Sequence, residues 1–384
     1  MKAELNKLNT KSLFNTHFMC WRILGMMPPR NYRPLYWIYS LIVNVTVTIG
    51  YPLHLILGLF TSTSMYEVIQ NLAITLTCTV CSMKTFAIWW RFKDVDRMFD
   101  IVKGQDEHTR PGEQMEYMQQ KVHPPIKSLL RLFYVLCSMV ALTAEVSLIF
   151  NGLRGSWLLM YKSYFPFDPF GSTMNYTIAH IYQFIGLCYT VTQNLVNDTF
   201  AGAHLSLLGG QVHLLGMRVS NIGHDPKKSL AENNKDLLEC IHDHLDLLEY
   251  HRKVEDVVSL YMFFQILFSS MNMCVVLVFM LLFVKDPFTM IYYCFYFVGM
   301  IFEVLPSCYY GTILEDEFQE LAYSLFKCNW PDQDFTFKKN LRIFVEQSSR
   351  RTYVTAWLFR INNNSFLTAV KSSYSIFSLI MNMR

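Results

Sequence analysis

Seven apolar stretches of membrane-spanning length alternate with polar segments along the chain. About 20 helical residues, at ~1.5 Å each, cross a hydrocarbon layer roughly 30 Å thick. The pattern therefore predicts seven transmembrane helices, at residues 36–59, 68–90, 129–150, 177–202, 257–284, 289–310 and 365–384. Because the sequence has no internal repeat or low-complexity tract, we predict a single all-α membrane domain over residues 1–384.

The fourth stretch is too polar to face lipid on every side. It carries His180, Gln183, Gln193, Asn194 and Asp198. Such side chains cost free energy in hydrocarbon unless they meet a partner or a cavity. We therefore expect this helix to lie inside the bundle.

The seventh stretch has a polar stripe along one side, roughly 140° wide at 100° per residue. The stripe comprises Ser365, Thr368, Ser372, Ser375, Ser378 and Asn382, and Lys371 borders it. Such a stripe either bonds to neighbouring helices of the same bundle or faces water. One stripe cannot enclose a channel, so the water-facing interpretation predicts several copies around an axis. Leu379 and Met383 are large apolar residues near the predicted outer end, where an apolar ring could close the path by dewetting.

The composition is that of an integral membrane protein. Hydrophobic residues make up 52% of the chain and charged residues only 16%. A net charge of +3, without basic runs that interleave aromatic residues, excludes nucleic acid as the leading partner. The N-terminal segment has no short apolar core followed by a small-residue cleavage site. We therefore expect no cleaved signal peptide, and expect the first span to direct the chain to the lipid membrane.

Lysine and arginine residues are concentrated in alternate connections. Residues 1–35 and the connections after the second, fourth and sixth spans are basic, and the other connections are not. Because basic loops stay cytoplasmic, we predict a cytoplasmic N-terminus and an extracellular C-terminus, the inverse of a G-protein-coupled receptor. Six transmembrane helices would occupy residues 36–310, cytoplasmic anchor helices residues 311–364, and the final helix residues 365–384.

Two features of the predicted outer loops agree with this orientation. Asn175 begins the glycosylation sequon Asn-Tyr-Thr in the longest of these loops. None of the ten cysteines lies in an external loop, so no disulfide is expected there. Cys78 and Cys81 have CxxC spacing, but they lie within an apolar span and are interpreted as packing residues.

The sequence contains no arrangement typical of an enzyme. HExxH, GxSxG and nucleophile–base patterns are absent, so we predict no catalytic residues and no cofactor. The densest titratable cluster lies at residues 240–256, but His242 and His244 would point roughly 200° apart on a helix and could not share a metal. Apolar positions at helical spacing instead predict an amphipathic helix that continues into the fifth span. We predict no metal site, and a packed cytoplasmic collar.

Five ionisable residues within predicted spans are candidates for a functional role: Lys84, Glu145, Asp198, Glu303 and Lys371. Such groups usually face a cavity or a partner. Lys84 lies near the inner end of its helix, and we expect its ammonium group to reach the headgroups. Glu145 fits two interpretations equally, the edge of a ligand cavity or a bond to a neighbouring helix.

Three segments resemble the insect odorant receptors. They are CIHDHLDLLEYHRKVEDVVSLYMFFQILFSSMNMC at 240–274, PSCYYGTILEDEFQELAYSLFKCNW at 306–330 and AVKSSYSIFSL at 369–379. The last is similar to a closing Lys-x-Ser-Tyr-Ser-x-Phe signature of that family. One departure is that Ser348 and Ser349 follow Gln347, where the family often has Gln-Arg-Pro.

This resemblance implies a function. Members of the family form tetrameric, odorant-gated, non-selective cation channels in which a tuning subunit assembles with a shared co-receptor. The chain lacks the co-receptor's long second intracellular insertion, so the resemblance implies a tuning subunit in the dendrite membrane of a sensory neuron. It also implies that the final helix lines the pore, with Ser375 on its wall and Leu379 and Met383 at the outer gate.

The resemblance also places a cavity for small volatile organic ligands in the outer half, among the second, third, fourth and sixth spans. The residues expected to face it are Leu72, Leu76, Glu145, Val146, Ile149, Tyr176, His180, Phe184, Tyr292 and Tyr296. Aliphatic and aromatic lining would hold such ligands mainly by burial.

Three alternatives belong to other classes of membrane protein. A gustatory receptor would share the architecture, but its final helix usually carries a Thr-Tyr and a Gln-Phe that are missing here. The inverted topology opposes a G-protein-coupled receptor. The absence of repeats and of glycine-broken central helices opposes a transporter.

Overall fold

The protein is helical over nearly all of the chain that the computed structural model describes, residues 8–29, 33–153 and 158–382. The α-helices are α1 Asn15–Ile23, α2 Arg33–Val43, α3 Gly50–Thr61, α4 Met65–Trp90, α5 Phe92–His108, α6 Glu113–Tyr117, α7 His123–Leu153, α8 Thr173–Ser220, α9 Leu230–Leu282, α10 Pro287–Ser324, α11 Phe335–Ser348 and α12 Asn363–Asn382. A two-residue antiparallel hairpin joins β1 Thr355–Ala356 to β2 Phe359–Arg360. We call the end of the bundle at residues 158–173 the outer end and the opposite end the inner end, following the predicted orientation.

Five helical segments within the described residues are long and apolar enough to cross a membrane. They are Arg33–Thr61, Met65–Trp90, Glu113–Phe150, Leu230–Leu282 and Pro287–Lys327. The helices α8 and α12 coincide with the two predicted spans that carry polar residues, at 177–202 and 365–384. Gln183, Gln193 and Asp198 of α8 are all buried, which confirms the expectation that this helix lies inside the bundle.

The first crossing changes helix type halfway. A π-helical segment, Asn44–Ile49, joins α2 to α3. Pro52 in α3 has no N–H to donate to the preceding turn, which weakens the regular hydrogen-bond ladder there. The Thr48 carbonyl accepts a hydrogen bond from the Ser82 hydroxyl at 2.6 Å, so a side chain of α4 supplies a donor at this irregular turn.

Side-chain caps define where five of the long helices begin. A hydroxyl or carboxylate accepts a backbone N–H of the first turn at Ser64, Ser172, Ser229, Asp286 and Asp334. Ser229 forms a full capping box with Glu232. Each cap satisfies an N–H that a helix start would otherwise leave unpaired.

The helix α9 is continuous over 53 residues, which confirms the predicted extension of the fifth span. At ~1.5 Å per residue it is about 80 Å long, well over twice the hydrocarbon thickness of roughly 30 Å. The helices α8 and α10 also continue far past the predicted spans, with 48 and 38 residues. Together they build a packed helical region at the inner end.

The largest buried core lies in this inner region, where α1 and α5 pack against α8, α9 and α10. Phe14, Phe99 and Phe200 are almost fully buried within it. At the surface of this core, ion pairs connect α5 to α9. Arg97 of α5 donates two hydrogen bonds to Glu249 of α9, at 2.7 and 3.0 Å. These bonds hold the pKa of the Glu249 carboxyl below its usual value.

Gly311 of α10 permits a close approach between the inner region and the segment that leads to α12. A Cβ at this position would lie 2.0 Å from the carbonyl oxygen of Ile361. The amide of Asn363 then donates to the Thr312 hydroxyl at 3.0 Å. The start of the final helix is therefore fixed against α10.

Candidate functional site

A cavity of about 80 Å³ lies at the outer end, between α4, α7, α8 and α10. Its lining combines aliphatic and aromatic surface with the hydroxyls of four tyrosines and Thr289 and the amide of Gln70. Its walls are Tyr66, Gln70, Ile74, Ala144, Leu148, Leu158, Leu159, Met160, Tyr161, Leu187, Thr289, Tyr292 and Tyr293. We call it the outer cavity.

One wall of the outer cavity is a loop segment, residues 158–161, that folds into the bundle. Tyr161 is buried and Met160 half-buried, so the backbone groups of these residues need partners. Gln183 supplies two of them: its Oε1 accepts from the amide of Met160 at 3.1 Å, and its Nε2 donates to the carbonyl of Tyr161 at 2.9 Å. A buried glutamine of α8 thus positions this wall.

A wider space of about 540 Å³ adjoins the outer cavity beneath the loop. The two spaces share five lining residues, and the wider one also has an aromatic lining. The shared residues are Tyr66, Gln70, Leu158, Leu159 and Tyr161, and the further aromatic residues are Tyr164, Phe165, Phe167 and Phe170. We call it the vestibule. At its edge Lys162 donates to Glu67 at 2.8 Å, which ties the loop to the start of α4. Its volume lies within the usual range for small-molecule pockets, roughly 300–1,000 Å³.

A second cavity, of about 60 Å³, lies closer to the inner end between the same four helices. We call it the inner cavity. Thr77, Asp198, Tyr296 and Glu303 are among its lining residues. A small space of about 10 Å³, lined by Lys84 and Glu303 among others, adjoins it.

Lys84 occupies a different environment from the one predicted. Its side chain is only 1% exposed, and its ammonium group lies 2.5 Å from Asp198 Oδ1 and 3.2 Å from Asn194 Oδ1. The expectation that it reaches the headgroups is wrong, because a carboxylate on α8 lies within hydrogen-bond distance inside the bundle. Pairing lowers the cost of burying both charges.

The predicted ligand-binding residues fall into distinct environments. Tyr292 lines the outer cavity, Tyr296 the inner cavity and Leu76 the small adjoining space, while Leu72 is half-buried on α4. Tyr292 stacks on Tyr296 with ring centroids 6.0 Å apart, which connects the two levels.

The other members of the set lie on α7 and α8. Glu145 pairs with His180 at 3.6 Å, and the His180 ring stacks on Tyr176. The Tyr176 hydroxyl donates to the carbonyl of Leu158, a wall residue of the outer cavity, at 3.1 Å. Glu145 thus faces a histidine of the neighbouring helix α8 at a distance longer than a hydrogen bond, and it is not among the lining residues of the outer or inner cavity. Val146, Ile149 and Phe184 are exposed on the outside of the bundle.

The predicted pore helix α12 packs by a narrow strip. Ala369 and Ser373 are its buried residues, and the Ser373 hydroxyl donates to the Ser270 carbonyl of α9 at 2.7 Å. Ser375 and Leu379 are exposed, and most of the polar stripe is not covered by the rest of the chain. Met383 lies outside the described residues.

The remaining marked positions are outside these cavities. Asn175 lies in the first turn of α8, where its amide donates to the Asp168 carbonyl at 2.9 Å. All ten cysteines lie among the described residues and are free thiols.

His242, Asp243 and Asp246 have ligand atoms within 4.8 Å of one another. Both oxygens of Asp243 are already engaged, by Arg218 at 2.6 Å and by His108 at 2.7 Å.

The family known as the 7tm Odorant receptor matches residues 64–374. Odorant receptor 59a of Drosophila melanogaster is 34% identical to this chain over 399 residues, which cover 98% of this chain and 99% of that receptor. The chain belongs to the odorant receptor family, as its C-terminal segments predict. It is a family of sensory receptors rather than of enzymes.

Solved structures share the fold. The insect olfactory receptor OR5 from Machilis hrabei matches with a TM-score of 0.85 at 14% identity, covering 97% of this chain and 98% of that chain. The same receptor in complex with eugenol matches with a TM-score of 0.80 at 16% identity, with the same coverage. The predicted fold class is confirmed, and the protein is a multi-pass membrane protein.

Several lining residues of the outer cavity were not predicted from the sequence. Tyr66, Gln70 and Ile74 follow one another at four-residue spacing along α4, which is a signal for a common face. The loop residues 158–161 give no periodic signal. Their position depends on Gln183, more than 20 residues away in the sequence.

Proposed function

We propose that this chain is the odorant-binding subunit of a ligand-gated cation channel and that the outer cavity is its ligand site. The cavity itself is the observation that carries this proposal: a space between four helices with aliphatic and aromatic walls and several hydroxyls that can orient a guest. The vestibule supplies a wider aromatic approach from the outer end. Eugenol, the ligand named for the related OR5 receptor, is a small aromatic molecule of the kind that aromatic walls can hold.

The polar stripe of α12 supports the second half of the proposal. Ser375 and its neighbours on the stripe are exposed in the single chain, so they are free to face water in an assembly of several subunits. Ser375 would contribute to the pore wall, and Leu379 with Met383 would form the outer gate. We propose a co-receptor subunit as the partner in a heterotetramer, located in the dendrite membrane of a sensory neuron.

Recording currents from cells that express the chain with and without the co-receptor tests this function. A panel of volatile odorants should evoke cation current from the co-expressed pair, including in excised patches without nucleotide. We expect no odorant response from the chain alone. Robust responses from the chain alone would contradict the tuning-subunit assignment, and responses that require nucleotide would contradict direct gating.

A further inference from the structure

Three ionisable side chains meet at the inner cavity and the small space beside it, and their charges do not balance. Lys84 and Asp198 form a buried ion pair. Glu303 of α10 lines both spaces and accepts from Gln265 Nε2 at 2.7 Å. Among the described residues, no lysine, arginine or histidine nitrogen lies within 4.0 Å of Glu303. The group therefore carries one carboxylate more than it has ammonium ions.

The unpaired polar atoms of this group are all oxygens. Asp198 Oδ2, Gln265 Oε1 and Asn272 Oδ1 are buried and have no hydrogen-bond partner among the described residues. Asp198, Gln265 and Asn272 are each 3% exposed or less. Asp198 lines the inner cavity, and the other two line the space next to it. Acceptors without donors, beside an uncompensated carboxylate, favour a positively charged guest.

We propose that the inner cavity and its adjoining space form a binding site for one small monovalent cation. Carboxylate and amide oxygens are ligands for hard cations. A charge of +1 neutralises the group, whereas a divalent ion would leave an excess of positive charge inside the membrane, where net charge is costly. This site is separate from the outer cavity, and the proposal does not depend on which ligand that cavity binds.

The position of the site gives the cation a structural effect. Asp198 lies on α8, Glu303 on α10, and Gln265 and Asn272 on α9. A bound cation would connect these three helices through their carboxylate and amide oxygens. It should therefore stabilise the folded protein by mass action, since the unfolded chain does not assemble these ligands.

The thermal unfolding of the full-length protein in detergent tests this site. Sodium chloride is compared with N-methyl-D-glucamine chloride at equal ionic strength and pH, with potassium and lithium as further arms. We expect a saturable rise in Tm of about 2 °C or more with at least one small cation relative to N-methyl-D-glucamine. Equal Tm values with all four cations would overturn the proposal. Stability that depends on pH but on no inorganic cation would also overturn it, because a proton would then balance the charge.

Variants locate the effect. Glu303→Gln should abolish the cation-dependent rise, and Glu303→Asp should retain it with at least tenfold weaker apparent affinity. Glu145→Gln is the matched control, because it removes another carboxylate from the bundle but not from this site, and it should keep the full rise. If Glu303→Gln does not fold, the contrast between Glu303→Asp and Glu145→Gln decides the question. Unchanged cation dependence in the Glu303 variants would place the cation elsewhere and overturn the assignment.

Discussion

Ala144 contributes only a methyl group to the wall of the outer cavity. Leucine at this position would add three carbons to a space of about 80 Å³ and compete with a ligand for it. We expect Ala144→Leu to raise the odorant concentration for half-maximal current roughly 5- to 150-fold, corresponding to 1–3 kcal/mol of lost binding. Concentration–response curves for the activating odorant of the panel measure this.

Ala141→Leu is the matched control for this substitution. Ala141 lies on the same helix and does not line the outer cavity. It should leave the concentration–response curve within about threefold of the original. Equal effects of the two substitutions would indicate that packing of α7, rather than the cavity, determines the response.

His213, in the inner region of α8, gives the protein a pH-dependent contact. Its Nδ1 lies 3.0 Å from Glu317 Oε2, and its ring stacks on Tyr117 with centroids 4.4 Å apart. The hydrogen bond to Glu317 raises the pKa of His213 above the ordinary value of 6.5. A raised pKa means that the folded state holds the proton more tightly than the unfolded state. The resulting stability is fully present below about pH 6.5 and is lost as the pH rises through the raised value.

We therefore expect the Tm of the protein to exceed that of His213→Gln most at pH 6, and expect the difference to shrink by pH 8. Comparing the two proteins at each pH cancels the contributions of other groups, such as His244, whose pKa burial lowers to about 4. A difference that grows with pH would show that the charged form of His213 is not the stabilising one.

For single residues, the sequence predicts which side chains must avoid lipid better than it predicts which side chains they pair with. The polarity of α8 was evident from its amides and its carboxylate. The pairing of Lys84 with Asp198 was not, because 114 residues separate them and the angle between α4 and α8 decides whether they meet. The same holds for Gln183 and the loop that it positions.

The helix α12 presents side chains two residues apart to opposite environments. Ser375 is exposed on the polar stripe, while Ser373 is 3% exposed and bonded to α9. If the stripe faces the pore, Ser375→Cys should react with a charged, membrane-impermeant thiol reagent and current should change. The current of channels that contain the co-receptor is recorded before and after the reagent is added, with and without odorant.

Two control substitutions show whether a side chain at a given position of α12 faces water, lipid or protein. Ser373→Cys should be protected because its side chain lies against α9. Ile376→Cys is exposed on the apolar side, and a charged reagent should not reach it through lipid. Protection of Ser375→Cys in both resting and activated channels would remove this helix from the pore wall.

Among the elements, apolar periodicity predicts the long helices but not their irregularities. The extension of α9 past the membrane follows from a helical pattern that continues through residues 240–256. At the π-helical segment Asn44–Ile49, the local sequence supplies Pro52, which frees the Thr48 carbonyl, but the donor that satisfies this carbonyl is Ser82 of α4 and cannot be read from the local pattern.

The positions of the basic residues predict the orientation of the whole molecule in the membrane, and tags at its two ends test this prediction. An epitope fused after Arg384 should bind antibody on intact cells, whereas one fused before Met1 should bind only after permeabilisation. Immunofluorescence with and without detergent measures both. The reverse result would indicate the topology of a G-protein-coupled receptor and would leave the stripe of α12 with its gate on the wrong side.

The fold as a whole was predictable because hydropathy, length and loop charge all constrain a chain in a bilayer. The C-terminal segments added the family. The position of the outer cavity came only from the resemblance, since a cavity is defined by how helices pack and not by any one of them.

Because α12 is attached by a narrow strip, residues on its exposed side contribute little to folding stability. Ala369 and Ser373 are the buried residues of α12, Phe366 and Val370 are partly buried against the core, and most of the polar stripe is exposed. If the exposed side lines the pore, as proposed, substitutions along it should alter ion passage at little cost in folding. If the proposed channel function holds, natural selection can vary conductance through this helix while the rest of the bundle keeps its structure.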